Sequence, residues 1–385
     1  MQPSLKSALI AFRHDLHAHP EIAFQEQRTA GRVAQLLGEA GLSIATGIGG
    51  TGLVATIEGN RPGPAIGLRA DMDALPMDEG NTFAHRSTCN GTMHGCGHDG
   101  HTAILLGAAL TLAEERDFAG TVHCIFQPAE EMGGGATQMV NDGLFKRFPC
   151  SMLFGLHNWP GLPTGHVAVQ TGAMMAGMDR FDITLTGQGS HAAMPHEGSD
   201  ALVAAAQLIT TVQTIVSRTV NPLDCAVVSV TQMHAGHTYN VIPEQVVLSG
   251  TCRFFQPAVQ QIIHDRLEAI CDGFSRSFGI KVELNYRRTY PPVRNTEREA
   301  SIAAEAARAA LGEQCVQTSF NPSMASEDFS VLLQHCPGAF LWLGNGPQSA
   351  PLHNPAYDFN DALIEPGVRL WKTVIQHALL AAQAA

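Results

Sequence analysis

The first half of the chain alternates between two hydrophobic patterns. Apolar residues recur at helical spacing over residues 4–16, 26–40 and 99–115, the last with Asp99 near its expected N-terminal cap. Between them lie short runs that are apolar at nearly every position: residues 53–57, 65–68, 122–126 and 152–156. Such runs are typical of parallel strands buried on both faces. This half predicts an α/β domain with a doubly wound, mostly parallel sheet.

The pattern changes near residue 176. Six elements follow in the order strand, helix, strand, strand, helix, strand: residues 180–186, 199–218, 225–233, 245–254, 257–278 and 281–287. The first of them alternates as a half-buried strand does. This order predicts a ferredoxin-like α+β unit.

The first pattern resumes after Pro291 and Pro292. A helix is expected over residues 297–311, a strand over residues 339–343 and an Ala-rich terminal helix over residues 363–385. We therefore predict two domains, one formed by residues 1–177 and 292–385 and the other inserted into it as residues 178–291.

Composition narrows the classes of function. A chain of 385 residues, 45% hydrophobic and 15% charged, is long enough for two packed domains. Its formal net charge of -12 argues against nucleic acid or an anionic membrane surface as a partner. Nine cysteines without regular spacing indicate reduced thiols in the cytoplasm. The first twenty residues lack the apolar core of a signal peptide, and polar residues interrupt the apolar stretch 201–216, which predicts a core helix and no membrane span.

The strongest local signal is the glycine-rich stretch at residues 93–101. It places Cys96 and His98 one residue apart in a loop that enters a helix. Glycines let such a loop fold tightly enough for a thiolate and an imidazole to reach one metal ion. The alternative is a glycine turn with incidental histidines. Asp99 and His101 are either partners of the ligands or surface residues.

Two adjacent carboxylates, Glu130 and Glu131, follow a buried strand. Side by side they repel each other unless a cation or a proton offsets their charge. One can bind a metal while the other acts as a general base. A solvated pair on a loop is the alternative, although the glycines at residues 133–135 indicate that something approaches this backbone closely.

Further candidate ligands also follow predicted strands: Asp71, His157 and His353. Each alone is more often a hydrogen-bonded loop or core residue, but α/β sheets gather their sites at the carboxyl ends of their strands. The set that could hold two ions is Cys96, His98, Glu131, His157 and His353, with Glu130 outside it. The sequence has no nucleophile elbow, phosphate-binding loop or dinucleotide-binding glycine pattern.

In combination these motifs resemble the M20 metallopeptidases, in particular the amidohydrolase branch with hippurate hydrolases, N-acyl-amino-acid amidohydrolases and auxin-conjugate hydrolases. The matching segments run almost from end to end: residues 13–17, 20–21, 69–76, 94–99, 127–131, 189–193, 240–243 and 326–329. The resemblance implies the same five ligands, Glu130 as the base and Asp71 as a residue that orients a ligand.

The resemblance also implies a lid and dimerisation role for residues 178–291. It maps a histidine that reaches a neighbouring active site onto His191, which would stabilise the oxyanion. Asn240 and Arg253 correspond to polar substrate contacts, and Arg253 is suited to bind a carboxylate with two hydrogen bonds. For Arg253 a charge at a strand edge is the alternative.

The sequence thus predicts a cytoplasmic hydrolase that cleaves the amide bond of small N-acyl amino acids, and the resemblance alone implies that it is a homodimer. It would use two divalent ions, with the thiolate favouring zinc and the other ligands admitting manganese, cobalt or nickel. A deacetylase of the N-acetyl-diaminopimelate type and a dipeptidase are the alternatives among enzymes. Outside enzymes, the alternatives are a protein that only binds a metal or small ligand, and an oligomeric scaffold.

Overall fold

A computed structural model of the protein describes residues 1–383. Its α-helices are α1 Pro3–Ala18, α2 Gln27–Glu39, α3 His98–Glu115, α4 Gly135–Asn141, α5 Leu144–Arg147, α6 Ala201–Val212, α7 Pro257–Phe278, α8 Glu297–Leu311, α9 Phe329–Leu332 and α10 Ile364–Gln383. The last two residues of the predicted terminal helix lie outside the described residues.

The strands are β1 Ser43–Ile48, β2 Gly52–Glu58, β3 Arg61–Asp71, β4 Ala119–Gln127, β5 Met152–Pro160, β6 Val167–Ala168, β7 Gly172–Met175, β8 Gly177–Thr186, β9 Ser190–His191, β10 Ala226–Ala235, β11 Val241–Ile242, β12 Gln245–Phe254, β13 Lys281–Tyr290, β14 Val293–Asn295, β15 Val316–Gln317 and β16 Gly338–Gly346. The chain divides into two compact units.

The first unit comprises Met1–Met174, Val293–Asn321 and the described residues from Asp328 on. Its eight-stranded sheet has the order β1-β2-β4-β3-β5-β16-β6-β15. The central strands β4, β3, β5 and β16 are parallel neighbours. Helices α1, α3, α8 and α10 contribute to the large apolar core of this unit. The first unit is therefore an α/β domain whose sheet is mostly parallel at its centre, as predicted.

Both edges of this sheet contain antiparallel pairs, and at one edge β6 is antiparallel to β16. Strand β1 was not predicted, and β2 is antiparallel to both β1 and β4. The reason is the short turn between β1 and β2, where Gly49 and Gly50 have φ values of 68° and 94°. A turn this short joins β1 and β2 as antiparallel strands. Only Gly59 and Asn60 separate β2 from β3, so β2 also runs opposite to β3 and to the parallel neighbour of β3, β4, and the sheet is mixed.

The second unit comprises Met175–Pro292 and Pro322–Glu327. Its four-stranded sheet is antiparallel, with the order β10-β12-β8-β13, and it shares an apolar core with α6 and α7. The carboxylate of Asp200 caps α6 by accepting hydrogen bonds from the backbone N–H groups of Leu202 and Val203. Helix α6 ends earlier than predicted, and a π-helical turn, Ile215–Thr219, follows it.

The segment Ala201–Thr219 is long and apolar enough to cross a membrane by length and composition, with a mean hydropathy of 1.2. Its inward face, with Ala204, Leu208 and Val212, belongs to the core of the second unit. A core helix meets the same criteria, so this segment is not a clear membrane span.

Candidate metal centre

The site lies at the carboxyl edge of the parallel strands in the first unit. Asp71 is the last residue of β3, and Glu130 and Glu131 follow β4 by a few positions. His157 lies inside β5, which extends to Pro160 and is longer than predicted. His353 stands in the loop after β16 and has a φ of 61°. Because parallel strands end at one edge of the sheet, their carboxyl-terminal residues meet there.

The five predicted ligands are close together. Sγ of Cys96 lies 3.3 Å from Nε2 of His157. Oε1 of Glu131 lies 3.2 Å from Nε2 of His353 and 3.9 Å from Nε2 of His98. The ligand atoms of Cys96, Glu131 and His353 all lie within 4.8 Å of one another. Thiol, imidazole and carboxylate groups from four distant segments thus form one cluster.

The donor atoms fit a metal ion. His98 is fully buried, and its Nδ1 contacts the backbone oxygen and the carboxylate of Asp73 at 2.9 and 3.2 Å. Its Nε2, by contrast, has no hydrogen-bond partner among the described residues. A buried polar atom without a partner is costly, whereas an imidazole held at one nitrogen and open at the other is the usual state of a metal ligand.

Charge in the cluster favours a cation. Burial opposes a charged imidazole at His98, but Asp71 and Asp73 outweigh it and raise the pKa of His98 to about 10. Burial alone would raise the pKa of Glu131, yet His353 and His98 lower it, so this carboxylate stays ionised. The site therefore carries negative charge that a proton or a divalent cation can neutralise.

Two other ligands are neutral without a cation. Burial, together with the charges of Glu131 and Glu130, holds the pKa of the Cys96 thiol well above its usual value. Burial and the neighbouring His101 hold the pKa of His157 well below its usual value. A bound metal would reverse the balance at Cys96, because coordination strongly favours the thiolate.

Glu130 lies beside these ligands. It is 8% exposed, and its Oε1 accepts a hydrogen bond of 3.3 Å from the backbone N–H of Asp328. The preceding residue, Ala129, has a φ of 52°, and its N–H donates to the buried carboxylate of Glu26. Strained backbone of this kind is common at functional sites. Here it directs two adjacent glutamates into one site.

The glycines after Glu131 have a local structural reason. A Cβ on Gly135 would lie 1.7 Å from the carbonyl oxygen of Pro128, and one on Gly133 would lie 2.5 Å from the ring of Phe24. The close approach that the sequence indicated is therefore made by the protein itself, by the turn at Pro128 and by the side chain of Phe24.

Asp71 forms a hydrogen bond with His101, which is not a predicted ligand, and does not form one with the predicted ligand His98. Its Oδ1 lies 2.6 Å from Nδ1 of His101, whereas its Oδ2 is 3.8 Å from Nε2 of His98, beyond hydrogen-bond distance. His101 is buried, and its Nε2 accepts a hydrogen bond from the backbone N–H of Asn158. Asp73 is the carboxylate that contacts His98 directly, and sequence reasoning missed it.

Asn158 connects the loop of Cys96 to two other segments. Its Nδ2 donates to the carbonyl oxygen of Cys96 at 2.6 Å, and its Oδ1 accepts from the hydroxyl of Tyr357 at 2.7 Å. Gly97 has a φ of 89°, and a Cβ there would lie 2.3 Å from Nδ2 of Asn158. The only sequence signal for Asn158 is its position next to His157, and for Tyr357 its position close to His353.

The predicted substrate contacts lie in the second unit. His191 in β9 pairs with Val241 in β11, and the carbonyl oxygen of Asn240 accepts a hydrogen bond from Ala192, which brings His191 and Asn240 together. His191 is exposed, and its Nδ1 accepts from the N–H of Ala193. That contact leaves Nε2 as the protonated nitrogen, able to donate.

Arg253 lies on β12 of the same unit and is partly buried. Its Nη1 donates to the hydroxyl of Thr251 and to the carbonyl oxygen of Cys252, both neutral groups. Burial lowers its pKa. Among residues 1–383 no carboxylate forms an ion pair with it.

Sulfur, nitrogen and carboxylate donors at the carboxyl edge of a mostly parallel α/β sheet could hold divalent metal ions. The chain matches the description peptidase family M20/M25/M40 over residues 67–377. It belongs to this family, and the sequence-based prediction of an amide-bond hydrolase is confirmed.

Similar proteins cover nearly the whole chain. It is 40% identical over 362 residues to an N-acetyl-L-cysteine deacetylase of Bacillus subtilis (strain 168), covering 94% of this chain and 86% of that protein. It is 38% identical over 352 residues to a hippurate hydrolase of Campylobacter jejuni, covering 91% of each. A B. subtilis crystal structure described as a dinuclear metal-binding peptidase from the M20 family aligns with a TM-score of 0.85 at 34% identity, covering 98% and 99%.

Proposed function

We propose that the protein hydrolyses the amide bond of an N-acyl amino acid with two divalent cations. The observation that carries this proposal is the convergence of five donor side chains with Glu130 beside them. The relatives named for N-acetyl-L-cysteine and hippurate support this substrate class, since both compounds are N-acylated amino acids.

Cys96, His98, Glu131, His157 and His353 would hold the two ions. Bound divalent cations would lower the pKa of water toward neutrality and polarise the amide carbonyl. The thiolate favours zinc, and the imidazole and carboxylate donors also accept manganese, cobalt or nickel. The B. subtilis structure, described as dinuclear, supports a count of two.

Glu130 is the general base. It accepts a proton from the attacking water while the water oxygen bonds to the carbonyl carbon. When the C–N bond breaks, Glu130 returns that proton to the leaving nitrogen, which releases a carboxylic acid and a free amine. The backbone N–H of Asp328 holds one carboxylate oxygen of Glu130 and so fixes its orientation.

His191, Asn240 and Arg253 would bind the substrate. Nε2 of His191 donates to the oxyanion that forms as water attacks. Arg253 has only neutral partners for its guanidinium, which suits it to pair with the carboxylate of the amino acid. Asp71 acts through His101, which it holds behind His157 with the ring centroids 4.6 Å apart.

The second unit would serve as a lid and as the contact between two copies in a homodimer. Strand β10 is an edge of its sheet, and it carries the exposed apolar side chains of Val227 and Met233. Tyr239 and Val241, further along the chain, are exposed apolar side chains as well. Exposed edge strands of this kind pair readily with another chain. None of the nine cysteines forms a disulfide, which supports a reducing compartment such as the cytoplasm.

A substrate panel with metal control tests the function. The purified protein is assayed with N-acetyl-L-cysteine, hippurate, N-acetyl-diaminopimelate and a dipeptide, before and after a chelator and after adding back Zn²⁺, Mn²⁺, Co²⁺ or Ni²⁺. We expect turnover of N-acyl amino acids that the chelator abolishes and a metal restores. Bound metal without turnover of any compound would contradict the proposal and favour a binding protein.

A further inference from the structure

Helix α1 carries two buried polar side chains that the proposed mechanism does not use. Arg13 and His17 are both fully buried, and Arg13 is among the largest side chains without exposed surface. A buried guanidinium is costly unless anions pair with it. The groups that pair with Arg13 therefore indicate which structural role its burial serves.

The first partner adjoins a proposed metal ligand. Nε of Arg13 donates to Oδ2 of Asp99 at 2.7 Å, and Nδ1 of His17 lies 2.8 Å from the same oxygen. Asp99 directly follows His98 and lies in the first turn of α3. Both side chains of α1 thus hold the backbone that presents His98.

The same guanidinium reaches a second ligand-bearing segment. Nη2 of Arg13 forms an ion pair with Asp358, and Nη1 lies 3.4 Å from Asp361. Asp358 lies in the segment that begins with His353, and it directly follows Tyr357. The backbone N–H of His353 donates to the carbonyl oxygen of Gly95, so this segment also contacts the loop of Cys96.

A third ligand-bearing segment completes the ring of contacts. The hydroxyl of Tyr357 donates to Asn158, which directly follows His157 in β5. The side chain of Asn158 donates in turn to the carbonyl oxygen of Cys96. One closed set of hydrogen bonds and ion pairs therefore joins the segments of Cys96 and His98, of His157 and of His353.

We propose that Arg13 is a positioning residue of the metal centre, which holds the segments of His98 and His353 at a fixed spacing and so preforms the ligand set. The inference rests on the proposed function, because it takes these histidines as metal ligands. Partners outside the ligand set commonly change metal affinity 10- to 100-fold when they are removed. Arg13 would act on two ligand segments at once.

The same helix offers a matched control. Asp15 of α1 accepts two hydrogen bonds from Nη2 of Arg28 in α2, at 2.7 and 2.9 Å. This ion pair also fixes α1 to α2, but among the described residues neither side chain forms a hydrogen bond or ion pair with a ligand-bearing segment. Asp15→Asn therefore weakens the packing of α1 without touching the contacts of Arg13.

The test is a titration of the full-length, metal-free protein with Co²⁺, followed by d–d absorption and by the thiolate-to-cobalt charge-transfer band. The variants are Arg13→Met, Asp358→Asn and Asp15→Asn, and the melting temperature of each is measured in parallel. Asp358→Asn removes the negative charge that pairs with Arg13 at the His353 segment, and Asp358 is partly exposed, so this variant decides the question if Arg13→Met does not fold.

We expect Arg13→Met and Asp358→Asn to raise the Kd for Co²⁺ about tenfold or more and to change the d–d spectrum. Asp15→Asn should lower the melting temperature and leave Kd and spectrum as in the wild type. Wild-type Kd and spectrum in a folded Arg13 or Asp358 variant would overturn the positioning role alone. Failure of the wild type to bind Co²⁺ would overturn the proposed metal centre, and the positioning role with it.

Discussion

Sγ of Cys96 lies 3.3 Å from Nε2 of His157, although 61 positions separate the two residues. Sulfur and nitrogen ligands of one tetrahedral zinc ion are about 3.5 Å apart, since the two bonds are ~2.3 and ~2.0 Å long. The pair is therefore spaced as two ligands of one ion are. Glu131 and His353 extend the cluster, and Glu130 lies next to it.

The role of Glu130 is tested by Glu130→Gln. The amide cannot accept the proton of water, but it keeps the size and the polar contacts of the carboxylate. We expect kcat for an N-acyl amino acid to fall by about 10² to 10⁴, with metal content unchanged by elemental analysis. Glu114→Gln, at an exposed position on α3, should keep wild-type kcat. Turnover near wild type in Glu130→Gln would remove the base assignment.

Gly97→Ala should disturb the metal loop. The alanine must take a φ of 89°, and its Cβ would lie 2.3 Å from Asn158 and 2.5 Å from the hydroxyl of Tyr357. We expect at least a tenfold weaker metal affinity in a chelator competition. Gly91→Ala is the matched control, because its φ is 71° and nothing lies within 4 Å of the added Cβ. Equal metal affinity in both variants would show that the close contact is unimportant.

The buried pair of His17 and Asp99 predicts a dependence of stability on pH. Burial opposes a charged His17, but Asp99 outweighs it and raises its pKa to about 9. The folded state thus binds the proton more tightly than the unfolded state, whose histidine has a pKa of about 6.5. The stabilisation is complete below pH 6.5 and is lost as the pH rises through 9. In metal-free protein, the wild type should have a higher melting temperature than His17→Gln. This difference should be largest near pH 6 and should shrink toward pH 10.

His123 provides a control of the opposite sign. Burial lowers its pKa to about 4, so the unfolded state takes up the proton first as the pH falls. Relative to His123→Gln, the wild type should lose stability between pH 6.5 and 4 and show no such change above pH 7. A constant difference between wild type and His17→Gln from pH 6 to 10 would contradict the charge assigned to His17.

Mixing two inactive variants tests whether His191 serves the site of a second copy. Glu130→Gln lacks the base and His191→Ala lacks the oxyanion donor, but a mixed dimer would contain one site with both groups. We expect each variant alone to be nearly inactive and the mixture to regain up to about a quarter of wild-type activity after subunit exchange. Size-exclusion chromatography with light scattering would establish the dimer. No recovery in a mixture whose subunits demonstrably exchange would place His191 outside the neighbouring site.

Much of this site could be read from the sequence because of one property of parallel sheets. His157 and His353 accompany buried strands, and such strands bring their carboxyl ends to one edge. Cys96 and His98 were marked by the glycines around them. The antiparallel edge was missed because an apolar run such as that of β2 does not encode its direction.

The contacts that support the ligands could not be read in the same way. Asp71 and Asp73 are two positions apart, and spacing alone does not decide which of them holds His98. Tyr357 and Asn158 are 199 positions apart, and their hydrogen bond depends on how the loop of His353 folds back. Arg13 lies within the helical pattern of residues 4–16, which does not show whether a charged residue is buried, and only the fold shows that it is.

The central claim is that these donor groups hold a pair of cations. The most direct measurement is an anomalous difference map from crystals grown with Mn²⁺ or Zn²⁺, recorded at the absorption edge of the metal. We predict two peaks within the cluster of Cys96, His98, Glu131, His157 and His353, each within about 2.5 Å of its ligand atoms. A map with no peak among these side chains, at metal concentrations that support turnover, would contradict the account.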